Sequence, residues 1–172
     1  SALSLILLCA VAPPALAQDA GSASPRHPLA GTWKLDVDAC TDPKAVLDHF
    51  DANFIVRSFA RSIVTVNVIT WKGTSLELEV KAPVYNRRTV LVFDGKTPTS
   101  EEVLGAPYSY TSTLEGDAVV SRGTVTLKNG TNEPLSTRRA VAPDGRMVLE
   151  MTISPKGKPP IVMKRVFNRQ KP

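Results

Sequence analysis

Downstream of Leu29 the chain alternates apolar and polar residues with a period of two. In Leu29–Val37, Trp33, Leu35 and Val37 point one way while Thr32, Lys34 and Asp36 point the other. The clearest half-buried strand sets Leu76, Leu78 and Val80 against Glu77, Glu79 and Lys81. Tyr108, Tyr110, Ser112 and Leu114 alternate with Ser109, Thr111 and Thr113, and Met147, Leu149, Met151 and Ile153 fall in phase. Further strands are expected over Ile63–Trp71, Arg87–Phe93, Glu101–Leu104, Ala118–Lys128, Leu135–Val141 and Ile161–Arg169. Turn chemistry separates them: Lys72-Gly73-Thr74, Asp94-Gly95-Lys96, Glu115-Gly116-Asp117, Asn129-Gly130, Pro143-Asp144-Gly145 and the Pro/Gly/Lys loop Ser154–Pro160.

One stretch breaks the alternation. In Ala39–Phe50, Thr41 or Asp42 can cap a helix, Pro43 suits its first position, and Val46, Leu47 and Phe50 give it one apolar face. A single helix of about two to three turns is expected from that spacing. Asp51-Ala52-Asn53 ends it, and Phe54–Phe59 reads as a strand or a covering loop. The insertion either closes one mouth of a barrel or plugs the end of the core. The whole pattern is all-β and antiparallel, with about eight to ten short strands and one short helix after the first. It implies a sandwich or a closed up-and-down barrel. No long crossing of Greek-key type and no repeat is present.

The first residues follow another pattern. Ser1–Ala17 carries no charge, holds Leu3, Leu5, Ile6, Leu7, Leu8 and Val11, and ends Pro13-Pro14-Ala15-Leu16-Ala17. The run is too short to span a bilayer, and Ala15-x-Ala17 is a small-residue cleavage pattern. Residues 1–17 are expected to be a cleaved signal peptide. That places the protein in the periplasm or outside the cell, with no transmembrane span after cleavage. Residues 18–28 are expected to be a flexible linker with His27 solvated, and residues 29–170 the domain. A domain of that size buries roughly 70% of its unfolded surface and needs no staples. Cleavage leaves Cys40 as the sole cysteine, so no internal disulfide forms and the thiol is either buried or open to intermolecular pairing. Lys and Arg number 21 against 16 Asp and Glu, a net charge of +5. This modest excess suits anionic surfaces or ligands, and equally plain solubility.

Four motifs in order carry a resemblance. They are Ala30-Gly31-Thr32-Trp33-Lys34-Leu35, Val92-Phe93-Asp94-Gly95-Lys96, Thr137-Arg138-Arg139 with Asp144-Gly145-Arg146, and Met163-Lys164-Arg165-Val166-Phe167. Over Leu29–Arg169 the chain resembles the small secreted bacterial lipocalin-like domains of the calycin superfamily. The resemblance implies a single barrel, and the insertion Ala39–Phe59 departs from its pattern. It also implies that the first-strand Trp lies at the closed end under an Arg of the last strand. In a closed barrel with an even strand count, first and last strands pair antiparallel. Trp33 is then expected near Arg165 or Arg169, a structural contact worth about 0.5–2 kcal/mol.

Catalytic chemistry is sparse. Of two histidines, His27 falls in the linker, and His49 lies on the helix beside Asp48 and Asp51 without a His or Cys at ligand spacing. No metal and no cofactor are expected. No Gly-x-Ser-x-Gly elbow or Gly-rich phosphate loop is present, and no catalytic residue is assigned. Glu77 and Glu79 sit on a solvated face. Aromatic residues make up 6% of the chain and do not interleave with its basic pairs, which excludes nucleic acid. Those pairs are Arg87-Arg88, Arg138-Arg139 and Lys164-Arg165. On a strand each puts one cation outward and one inward or at a rim. An inward Arg can bind a carboxylate or phosphate; rim solvation or edge protection is the plainer reading.

The candidate cavity residues are Trp33, Leu35, Leu78, Tyr108, Tyr110, Met147, Met151 and Met163. A barrel of this size either fills with side chains or holds one small ligand. The expected function is binding of a small apolar or amphiphilic molecule, a fatty acid or similar. The alternative is a non-enzymatic module of the cell envelope with a filled barrel. An enzyme using cavity Tyr and Arg is a third reading that no motif supports.

Overall fold

The computed structural model describes residues 27–60, 62–83 and 85–171. The expected signal peptide at 1–17 and residues 18–26 of the expected linker lie outside them. Among the described residues, ten strands form one antiparallel sheet curled into a nearly closed barrel, with two short helices after the first strand. The strands are β1 (Gly31–Asp36), β2 (Val66–Trp71), β3 (Ser75–Ala82), β4 (Tyr85–Val92), β5 (Thr99–Val103), β6 (Ala106–Glu115), β7 (Ala118–Thr126), β8 (Asn132–Val141), β9 (Met147–Ile153) and β10 (Ile161–Arg169). Their order around the sheet is β4-β3-β2-β1-β10-β9-β8-β7-β6-β5. The first and last strands therefore pair, and β4 and β5 are left as the two edges.

The period-two pattern explains the core. Trp33 and Leu35 face in from β1, Leu76 and Leu78 from β3, Tyr108 and Tyr110 from β6, and Met147, Met151 and Ile153 from β9, all buried in one cluster. The outward face carries surface ion pairs such as Lys72 with Glu77 at 3.2 Å and Lys81 with Glu79 at 3.3 Å.

One end of the barrel is sealed. Trp33 lies opposite Arg169 in the β1–β10 ladder and is 0% exposed. The Arg169 guanidinium sits 4.1 Å above the indole centroid. It donates to the Ala30 carbonyl at 2.9 Å and to the Pro28 carbonyl, while the indole Nε1 donates to Leu29 at 2.8 Å. Gly31 makes room for this: its φ is +135°, and a Cβ there would meet the Arg169 Nη1 at 2.8 Å. Arg165, the other expected partner of Trp33, lies elsewhere on β10, opposite Leu149. His27 is not solvated either. Its ring stacks on Trp71 at 3.5 Å, and burial lowers its pKa against a smaller opposing pull from Asp117.

The insertion differs from expectation in two ways. The first helix, α1, is only Lys44–His49. Thr41 is held by β10, its N–H on the Lys164 carbonyl at 3.0 Å and its Oγ1 accepting the Lys164 N–H at 2.9 Å, so only the residues beyond it wind. Asp42 takes the Lys44 N–H at 2.9 Å. Asp51, at φ 49°, terminates α1 in a left-handed turn, and the Ala52 N–H closes on the Leu47 carbonyl at 2.9 Å. The second difference is that Phe54–Ala60 is a helix, α2, rather than a strand or loop. Asn53 does not simply end α1. Its Oδ1 accepts the Val56 N–H at 2.9 Å, which is the bond of an N-cap.

Candidate functional site

Above the sealed end the barrel encloses a cavity of about 300 Å³, at the lower edge of the roughly 300–1,000 Å³ typical of small-molecule sites. Among the sequence-derived candidates, Leu78, Tyr108, Tyr110, Met151 and Met163 line it. Leu35 instead lines an adjoining cleft with Cys40, Met163 and Arg165. Cys40 is a half-buried free thiol. Trp33 and Met147 do not line the cavity; both are 0% exposed in the packed end. Alternation reports which face a side chain takes and carries nothing about its depth along the barrel axis.

The polar lining is richer than the apolar pattern suggested. Each basic pair sends one member inward. Arg87, Arg139 and Arg165 wall the cavity, while Arg88, Arg138 and Lys164 are exposed. The plainer reading of those pairs, rim solvation or edge protection, fails for buried Arg139, whereas Arg87, on edge strand β4 with its side chain 40% exposed, keeps a rim position. Arg139 and Arg165 flank the same residue, Leu149, from β8 and β10, about 10 Å apart at their backbones by the strand spacing. Glu101 of β5 also faces in, 3.3 Å from Arg87.

Arg139 is the most unusual of these groups. It is 8% exposed, and its Nε has no hydrogen-bond partner among the described residues. Burial pulls its pKa down to about 10, with Tyr110 and Glu101 opposing the shift and Arg87 adding to it. It remains a cation at neutral pH. Taking a guanidinium out of water costs several kcal/mol unless a partner compensates, and here the opposing pull of Tyr110 and Glu101 is smaller than the effect of burial.

The two tyrosines stack at 4.6 Å. Tyr108 donates its hydroxyl to the Leu135 carbonyl at 3.2 Å, and burial pushes both phenols well up, so they stay protonated donors. Gly123 lets β7 close on this pair, since a Cβ there would fall 2.0 Å from the Ser109 carbonyl oxygen. Beyond it, Ser112 and Ser121 share a buried hydrogen bond of 2.8 Å.

Two boundaries separate the cavity from solvent. The mouth is covered by α1, whose Val46 and Leu47 are 3% and 4% exposed, with Phe50 just after it at 4%. Each would cost about 1.5–3 kcal/mol to uncover. His49 fastens the helix to β8 through Glu133 at 2.6 Å, and the Lys128 ammonium holds the Asp51 carbonyl at 3.2 Å. The other boundary is the seam between β4 and β5. Among the described residues no ladder joins these strands, and Arg87 spans the gap, reaching Glu101 and, at 3.4 Å, the Glu102 carbonyl. The Arg87 and Glu101 side chains are 40% and 19% exposed, and such an ion pair is worth about 0–1 kcal/mol.

Among the described residues no group of three or more His, Cys, Asp or Glu is arranged to hold a metal ion. No helix among them is long and apolar enough to cross a membrane.

No protein-family model matches the chain, and no curated protein does. Solved structures do match in shape. A REP1-NXSQ fatty acid transporter aligns with a TM-score of 0.66 at 19% identity, over 83% of this chain and 96% of that one. Lipid binding protein 8 of Caenorhabditis elegans gives 0.65 at 14%, over 83% and 96%. A fatty acid-binding protein from brain tissue of Drosophila melanogaster gives 0.62 at 15%, over 80% and 95%. At these identities the likeness establishes the barrel fold.

Proposed function

We propose that this protein carries a small anionic amphiphile, a fatty acid or similar, inside the barrel. The hydrocarbon packs against Leu78, Tyr108, Tyr110, Met151 and Met163, and the carboxylate meets Arg139. The observation that carries this reading is the buried guanidinium of Arg139, its Nε unpartnered, in a chamber that also presents the apolar side chains of Leu78, Met151 and Met163. Barrels of the same shape that are described as fatty acid transporters or lipid-binding proteins support it. The apolar run Ser1–Ala17 with its Ala15-x-Ala17 ending supports a periplasmic or secreted location for the carrier.

The test is a titration of delipidated protein with a fluorescent fatty acid and with the corresponding alcohol. Saturable uptake of the acid at one per chain is expected, with the alcohol weaker. Arg139→Gln should weaken the acid by tenfold or more, since a hydrogen bond to a charged group contributes about 1.5–3 kcal/mol. No uptake of either probe, together with no co-purifying small molecule in native mass spectrometry, would mean a filled barrel and overturn the proposal.

A further inference from the structure

The cavity approaches the exterior in two places, under α1 at the mouth and along the β4–β5 seam. Tyr85, Arg87, Glu101, Glu102 and Leu104 wall both the cavity and an outer cleft on that seam, so a single layer of side chains separates the two. No backbone ladder crosses it among the described residues. Between β4 and β5 themselves, the links are one partly solvated ion pair and one long hydrogen bond. Past β4 the backbone is pinned, where Asp94 bridges Thr113 and the Gly95 N–H bonds the Ser112 carbonyl at 3.0 Å. Lifting α1 uncovers three buried apolar side chains and breaks the His49–Glu133 clasp. With no strand ladder across it, the seam is the less strongly held of the two openings.

Resting on the carrier reading above, we infer that the anionic ligand passes through the β4–β5 seam by ion exchange: its carboxylate displaces Glu101 from Arg87 and then moves inward to Arg139. Glu101 is a resident stand-in for the ligand head group. Arg87 meets the ligand first, and its buried Nε has no partner even while Nη1 holds Glu101. Of the charged residues that line the cavity, Arg87, Arg139 and Arg165 outnumber Glu101 and Glu102 by one, so a monoanion completes the set. An uncharged amphiphile cannot take the place of Glu101 on Arg87. The seam therefore selects acids by rate as well as by affinity.

Stopped-flow uptake of the fluorescent fatty acid and its alcohol tests this with variants that break the same ion pair from opposite sides. Glu101→Gln removes the competing carboxylate and should speed acid uptake. Arg87→Gln leaves Glu101 to repel the acid and should slow its uptake about tenfold, the scale of local electrostatic steering, without slowing the alcohol. Arg87→Lys keeps the cation and should restore acid uptake. His49→Gln loosens the helix clasp and should leave both rates unchanged. If Arg87→Gln and Glu101→Gln shift acid uptake in the same direction, or Arg87→Lys is as slow as Arg87→Gln, Arg87 is only a structural latch and the inference falls. Uptake accelerated by His49→Gln and indifferent to the seam variants would place the route at the mouth. Wild-type protein that takes up no acid at all would instead remove the carrier reading itself.

Discussion

Arg139 costs the empty barrel stability, and that cost is separable from its role. Replacing buried ion pairs by apolar side chains of similar volume is often neutral or stabilising by about 1–4 kcal/mol, and among the described residues Arg139 has no ion-pair partner to be stranded by its removal. Arg139→Leu is therefore expected to raise the melting temperature while abolishing preference for the acid over the alcohol. A lower melting temperature would mean that Glu101 and Tyr110 already compensate the charge. Asp94 illustrates the opposite case. Its carboxylate accepts the N–H groups of Lys96 and Thr97 and the Thr97 hydroxyl, which hold its pKa down to about 2 from 3.8. A carboxylate with a depressed folded pKa contributes stability that is complete above its unfolded value and is lost as pH falls through the folded one. Thermal melts between pH 4 and 2 should fall less steeply for Asp94→Ala than for the wild type. The sequence showed that Arg87, Arg139 and Arg165 belong to pairs that must split across a strand. Which partner turns inward depends on strand register, which is set by contacts with other strands. That is why the cations lining the cavity were legible only as an option, whereas Leu78, Tyr108, Tyr110, Met151 and Met163, which follow the apolar phase, were legible directly.

The helices of the insertion are held by different forces. Val46 and Leu47 anchor α1, but no residue of α2 is buried, and Phe54 and Ile55 stand 83% and 63% exposed. What ties α2 down is Arg57, which donates to the Ala52 carbonyl at 2.7 Å and the Leu47 carbonyl at 3.2 Å and pairs with Asp48. Phe54→Ser is expected to leave stability within about 0.5 kcal/mol, as for most exposed sites. Arg57→Ala should cost about 1 kcal/mol and speed amide exchange across 54–60. Denaturant titration and hydrogen exchange check both; equal effects would mean that α2 docks through its apolar face. This helix escaped the sequence because Phe54–Phe59 is short and apolar, a length at which strand and helix patterns coincide. The cap on Asn53 was the available discriminator. α1 was legible in kind but too long in extent, because Thr41 is claimed by Lys164, far away in the chain.

At the scale of the molecule, alternation and turn chemistry carry the antiparallel all-β pattern and leave sandwich and barrel both open. The barrel, and a last-strand Arg165 or Arg169 over Trp33, come from the resemblance of the four motifs, and the β1–β10 pairing follows once the barrel is closed. The open seam follows from none of these. All turns but one join strands that pair, and the segment between β4 and β5 looks like another such turn, with Asp94-Gly95 at its centre. Only the three-dimensional path reveals that Asp94 bridges to Thr113 instead. This arrangement has a consequence for how the protein folds. Among the described residues, eight of the nine ladders join strands consecutive in sequence, and the ninth, β1 with β10, joins the most distant. The described chain ends meet at that ladder, where the Gln170 N–H bonds the Thr32 carbonyl at 2.8 Å. Suppose a short flexible linker joins Lys171 to His27 and the backbone is cut between Thr97 and Pro98, which are exposed. The circular permutant then runs from β5 to β4 as one uninterrupted meander, and every ladder becomes local. Folding rates rise as contacts become local, so the permutant should fold faster than the parent at similar stability in a chevron comparison. An unchanged rate would show that β1 and β10 pair only after the rate-limiting barrier has been crossed.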